Sequence, residues 1–120
     1  MSARTLEASV RHQPRVAIVD LHGEIDAFAE DVLNSAYAEA ESRGSDVILL
    51  NFSDVDYINS TGIALIVGLL ARARKAHRRL LACGLSDHYV EIFQITRLVD
   101  FMNVYPDEVS ALNEGSTSIS

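Results

Sequence analysis

The stretch DVDYINSTGIALIVGLLARARK, residues 54–75, sets four small or polar residues, Asn59-Ser60-Thr61-Gly62, directly before the apolar run Ile63 to Ala71. Ser, Thr and Asn are the residues that best begin a helix, because a short side-chain oxygen accepts from a backbone N–H of the first turn. The cations of ARARK close the stretch, as suits the negative end of a helix dipole. A helix from Thr61 to about His77 is therefore expected, apolar nearly all round in its first two turns and the most buried helix of the fold. Ser60 then has two readings. It is the residue that starts this helix, or it is where chemistry happens.

On the N-terminal side of this stretch, SDVILLNF (45–52) is a continuous apolar run of the kind that forms a strand buried on both faces. SDVDYINS (53–60) then connects that strand to the helix. Near the N-terminus, TLEASVRH (5–12) alternates Leu6, Ala8 and Val10 with Glu7, Ser9 and Arg11, the period of a half-exposed strand. HQPR (12–15) makes a turn, and RVAIVDLHG (15–23) is a second strand closing at Gly23, so the pair reads as a hairpin. From Asp26 to Gly44 the pattern is helical, with Phe28, Val32, Ala36 and Ala40 sharing one face at four-residue spacing.

The second half repeats strand and helix. RRLLACGL (78–85) is a strand ended by Gly84. SDHYVEIFQITRL (86–98) is a helix opened by the cap Ser86, with Tyr89, Ile92 and Phe93 facing inward. VDFMNVYP (99–106) is a short strand stopped by Pro106, and DEVSALNEG (107–115) is a terminal helix. The expectation is one α/β domain, residues 1–115: a mixed sheet of four or five strands, an N-terminal antiparallel hairpin, then β–α crossovers and packed helices. Residues 116–120 are expected to be a disordered tail.

Composition narrows the function. With 120 residues, 48% of them hydrophobic, the chain can bury a core without staples. A net charge of −7 opposes binding to phosphate backbones and anionic lipid, so neither a nucleic-acid nor a membrane partner is expected. The basic cluster ARARKAHRR reads as a solvated, dipole-matched helix end. The run Ile63 to Ala71 is far short of the ~20 apolar residues of a spanning helix. MSARTLEASV lacks an apolar signal core, and the single cysteine, Cys83, reads as a small buried hydrophobe; a cytoplasmic location fits both.

Few residues are arranged as enzymatic chemistry would need. His12, His22, His77 and His88 lack metal-ligand spacing, so neither a metal nor a cofactor is expected. No Gly-x-Ser-x-Gly surrounds Ser60, and no Gly-Lys-Ser/Thr follows Gly62 or Gly68. Glu24 and Asp26 could imitate a carboxylate pair, yet a turn and an N-cap explain them equally well. Ser60 remains, at the end of a parallel strand and the mouth of a helix, where a phosphate would face backbone N–H groups.

Together, LHGEIDAFAEDVL (21–33), VILLNFSDVDYINSTGIALIVGLL (47–70) and YVEIFQITRLVDFMNVYPDEVSAL (89–112) resemble the STAS domain of the bacterial anti-sigma factor antagonists. The most diagnostic piece is a strand, then Asp-Ser-Ser/Thr-Gly, then an apolar helix; here the four residues read Asn59-Ser60-Thr61-Gly62. The resemblance implies a non-enzymatic partner-switching regulator. Such a protein binds an anti-sigma factor that is also a serine kinase, is phosphorylated by it, and is reset by a PP2C-type phosphatase. Carried over, the phosphoacceptor is Ser60, while Asp26, Asn59, Thr61 and Gly62 form the phosphorylation loop and partner-binding surface. Two residues depart from the pattern: Asn59 replaces the usual Asp, and Arg97 stands where the family has a small residue or glycine. Other implied roles are a soluble STAS subunit of a transporter or lipid-trafficking complex, and a structural STAS protein of a signalling assembly.

Overall fold

The computed structural model describes residues 5–117, and the side chains of residues 5–113. Strands β1 (Glu7–Gln13) and β2 (Val16–Ile25) pair antiparallel, from Glu7 opposite His22 to Gln13 opposite Val16. The turn between them holds Arg15 at φ 71°. Then follow α1 (Glu30–Glu41), β3 (Val47–Ile58), α2 (Ser60–Lys75), β4 (Arg79–Cys83), α3 (Asp87–Ile95), β5 (Asn103–Tyr105) and α4 (Glu108–Thr117). The five strands lie in chain order, β1-β2-β3-β4-β5, with β2 to β5 parallel. This is the mixed sheet and N-terminal hairpin that the sequence implies.

Alternation along the central strands builds two cores. Ala17, Val19, Leu21, Ile48, Leu50 and Ala82 point to the face covered by α1, α2 and α3. Val16, Ile18, Val47, Leu49, Leu81 and Cys83 point to the other face, where Ala111 of α4 packs. Cys83 is buried, and burial pushes its thiol up to about 11, so it stays protonated and unreactive at neutral pH. Arg11 bolts α4 down: it pairs with Asp20 across the hairpin and with Glu108 at the start of α4, each at 2.6 Å.

Several expectations are corrected. The strands are longer than their apolar runs: β3 continues through the polar segment 53–58, and β2 passes Gly23 to reach Ile25. Pairing between β2 and β3 carries them, with irregular register after Asp20 and after Gly23. The core face of α1 is Ala29, Leu33, Ala36, Tyr37 and Ala40, whereas Phe28 is 89% exposed. A short 3-10 turn, Ala27–Ala29, precedes α1 and rotates Phe28 off that face. Helix α2 is not buried all round: Ile66, Leu69, Leu70 and Ala73 face the sheet, but Ala64, Val67 and Gly68 are exposed. Of the tail expected at 116–120, residues 116 and 117 close α4, and 118–120 lie outside the described residues.

Candidate functional site around Ser60

Strands β2 and β3 end together, with Ile25 opposite Ile58. The Asn59 N–H continues the ladder, donating to the Ile25 carbonyl at 3.1 Å. There the chain turns. Asn59 has extended backbone (φ −92°, ψ −177°), its Oδ1 accepts the Gly62 N–H at 2.8 Å, and its carbonyl accepts the Ile63 N–H at 2.9 Å. Asn59 is therefore the N-cap of α2, and Ser60 is the first helical residue. The cap reading of Ser60 is overturned: a side chain one position inside the helix cannot reach round to the N–H groups that a cap satisfies. An Asp at 59 would make the same bond through the same oxygen position, so the substitution keeps the cap and removes a charge.

Gly62 fixes how closely the helix mouth approaches β2. A Cβ on it would lie 2.1 Å from the Ile25 carbonyl oxygen, so no larger residue fits without moving backbone. On the other side, Asp26 follows Ile25 directly, and its Oδ1 accepts the Phe28 N–H at 2.9 Å, capping the 3-10 turn. Beneath the loop, the Tyr89 hydroxyl of α3 accepts the buried Ile58 N–H at 2.9 Å. Thus Asp26, Asn59, Ser60, Thr61 and Gly62 are brought together at one sheet edge, on backbone held from three sides.

The Ser60 and Thr61 side chains are exposed, and neither makes a hydrogen bond to a base among the described residues. Such a hydroxyl is presented to an outside group rather than activated in place. Of the first-turn donors, the Gly62 and Ile63 N–H groups are already bonded to Asn59, which leaves those of Ser60 and Thr61 for an anion. Phe28, in the 3-10 turn that Asp26 caps, is 89% exposed, and Tyr57, one residue before Ile58, is 49% exposed. Neither stands out in the sequence: Phe28 shares a four-residue spacing with Val32, Ala36 and Ala40, and Tyr57 lies in the polar segment that reads as a connection. The competing set Ala29, Leu33, Ala36, Tyr37 and Ala40, at spacings of four and three, is the signal that would have put Phe28 outside.

Carboxylates are frequent in the chain leading to this edge: Glu24 near the end of β2, Asp26 just after it, and Asp54 and Asp56 in the second half of β3, where Asp54 meets the His22 Nδ1 at 3.0 Å. No group of three or more His, Cys, Asp or Glu residues among those described is arranged to hold a metal ion. No helix among the described residues is long and apolar enough to cross a membrane.

Comparison with known proteins agrees with this architecture. A family model described as the STAS domain matches residues 7–111. The anti-sigma-B factor antagonist of Staphylococcus aureus (strain NCTC 8325 / PS 47) is 33% identical over 86 residues, 72% of this chain and 80% of that protein. The crystal structure of an anti-sigma factor antagonist from Mycobacterium paratuberculosis superposes with a TM-score of 0.81 at 18% identity, covering 93% of this chain and 95% of that one. The Bacillus cell fate determinant SpoIIAA in its phosphorylated form superposes with a TM-score of 0.68 at 20% identity, over 89% of this chain and 97% of that one.

Proposed function

The chain belongs to the STAS domain family, and from that premise we propose that it is an anti-sigma factor antagonist whose partner binding is switched by phosphorylation of Ser60. It acts without catalysing a reaction itself. The partner is an anti-sigma factor with serine kinase activity, and a PP2C-type phosphatase removes the phosphate. The observation that carries this reading is the presentation of Ser60: an exposed hydroxyl at the first position of α2, bonded to no base among the described residues, on a loop fixed by Asn59, Gly62 and Tyr89.

Exposed Phe28 and Tyr57 supply apolar area for a protein partner beside the acidic edge. A phosphate on Ser60 adds nearly two negative charges there. Two free N–H groups and the helix dipole accept it, so the fold tolerates the change. An interface closed over that dianion must desolvate it beside Asp26, and a loss of ~3 kcal/mol weakens affinity more than a hundredfold. Support for phosphate on this fold comes from the Bacillus neighbour, which occurs in a phosphorylated form.

The test is equilibrium binding to the anti-sigma factor recovered with the protein from its native lysate. Ser60→Ala is expected to bind as the unmodified protein does and to take up no phosphate. Ser60→Asp is expected to bind at least tenfold worse while melting at the native temperature. Phosphate mapped to another residue, or full affinity in a folded Ser60→Asp variant, would remove the proposal.

A further inference from the structure

The basic cluster ARARKAHRR, residues 71–79, plays no part in the switch at Ser60, and the fold gives it a definite place. Strands β2, β3 and β4 begin in register, with Val16 beside Val47 and Val47 beside Arg79. Backbone bonds knit the three starts into one edge: Val47 N–H to the Arg15 carbonyl at 3.2 Å, and Arg79 N–H to the Asp46 carbonyl at 2.9 Å. The last turns of α1 and α2 reach the same edge. It lies a full length of β3 from Ser60, about 35 Å for a twelve-residue strand at ~3.3 Å per residue.

Its charge is the reverse of the Ser60 edge. Arg72 and Arg78 are used internally: Arg72 sits over the Tyr37 ring at 4.5 Å and near Glu41, and Arg78 donates to the Ser45 carbonyl and pairs with Glu41. Four others face outward. Arg43 and Lys75 are exposed and make no ion pair among the described residues. Arg15 reaches Asp46 only at 3.4 Å, with both side chains more than half exposed. The Arg74 guanidinium carbon sits over the Phe101 ring, 4.8 Å from its centroid, and Phe101 is itself 54% exposed.

Two hollows open there. One, of about 440 Å³, is walled by Arg15 and Arg43 with the turn and loop that carry them. The other, of about 180 Å³, is lined by Arg74, Arg78 and Arg79 together with the apolar Leu70, Leu80 and Phe101. We propose that this edge is a second docking surface, for an acidic segment of a protein partner that also carries an apolar or aromatic side chain. Charge complementarity selects the acid, and the Arg74–Phe101 platform beside an apolar-lined hollow selects the second feature. Glu41 and Asp46 interrupt the cations, and the whole chain carries −7, so the uniform phosphate backbone of a nucleic acid fits less well. A partner held here would not compete with one at Ser60. The proposal does not depend on whether Ser60 is phosphorylated.

The experiment is fluorescence anisotropy with the full chain and a fluorescein-labelled peptide, Glu-Asp-Phe-Glu-Asp-Leu, at about 0.15 M salt. Saturable binding is expected, weakened roughly tenfold or more by Arg74→Glu and also by Arg43→Glu, and unchanged by Asp26→Asn at the opposite edge. The two charge reversals lie in different elements at exposed positions, so a folding defect in one leaves the other to decide. No saturable binding of the peptide, equal weakening by Asp26→Asn, or tighter binding of a short DNA duplex would each overturn the proposal.

Discussion

Tyr89 and Ile58 meet where the sheet can no longer help: the phenol oxygen accepts the buried Ile58 N–H at 2.9 Å. Strand β4 pairs with β3 only from Val47 to Asn51, so among the described residues that side of β3 has no strand beside it beyond that point. A residue of α3 substitutes for the absent strand, one residue before the cap Asn59 and two before Ser60. Tyr89→Phe keeps the ring and orphans the N–H, so a loss of about 1–3 kcal/mol is expected in urea unfolding. Amide exchange at Ile58 should speed up by more than global unfolding accounts for.

Gly62 and Gly68 make a paired test within one helix. Gly62→Ala places a methyl against the Ile25 carbonyl and should destabilise by about 3 kcal/mol or more, or fail to fold. At Gly68 an added methyl meets nothing within 4 Å, in a helix interior. There the substitution Gly68→Ala should stabilise by about 0.5–1 kcal/mol. Thermal melts of the two variants decide, and equal effects would deny the close approach of α2 to β2.

Arg97 ends α3 in the left-handed region, at φ 66°, the conformation for which helix termini usually use glycine. That is a structural account of the position where the family has a small residue. Its guanidinium pairs with Asp100 at 2.7 Å, but Arg97 is 78% exposed and such pairs contribute little. Arg97→Gly should therefore raise stability by up to about 1 kcal/mol, measured by chemical denaturation. A clear loss would mean that the ion pair outweighs the backbone strain.

Asp20 predicts how stability responds to acid. Hydrogen bonds from Arg11 hold its carboxyl below the usual range, with burial opposing and a bond from Asn51 adding. A folded value below the unfolded one, ~3.9, gives stability that is fully present above that pH and lost as pH falls toward the folded value. Asp20→Asn should thus be destabilised against the native protein at neutral pH, and the gap should shrink below about pH 4. Urea unfolding at three pH values reads it. A gap that stays constant would remove Asp20 from the acid response.

Local pattern determined much of this protein. The alternation of β1, the apolar runs of β2, β3 and β4, the cap at Ser86 and the stop at Gly84 are all written in neighbouring residues, because strand faces and helix caps are short-range properties. So is the small-residue segment 59–62, which marked the edge where Asp26 and Ser60 lie together. What the tertiary structure alone decided depends on residues far apart in the chain. Segment 53–58 is a strand because β2 pairs with it, although its own residues are polar. Asn59 rather than Ser60 caps α2 because Gly62 must sit against Ile25, which sets where the helix can begin. Phe28 is outside because a 3-10 turn offsets the start of α1. Arg11 joins Asp20 and Glu108, and the cations of three separate loops share one edge, through pairings that no window of sequence contains. Periodicity tells a residue which face it can occupy; only packing tells it where the helix starts and what that face meets.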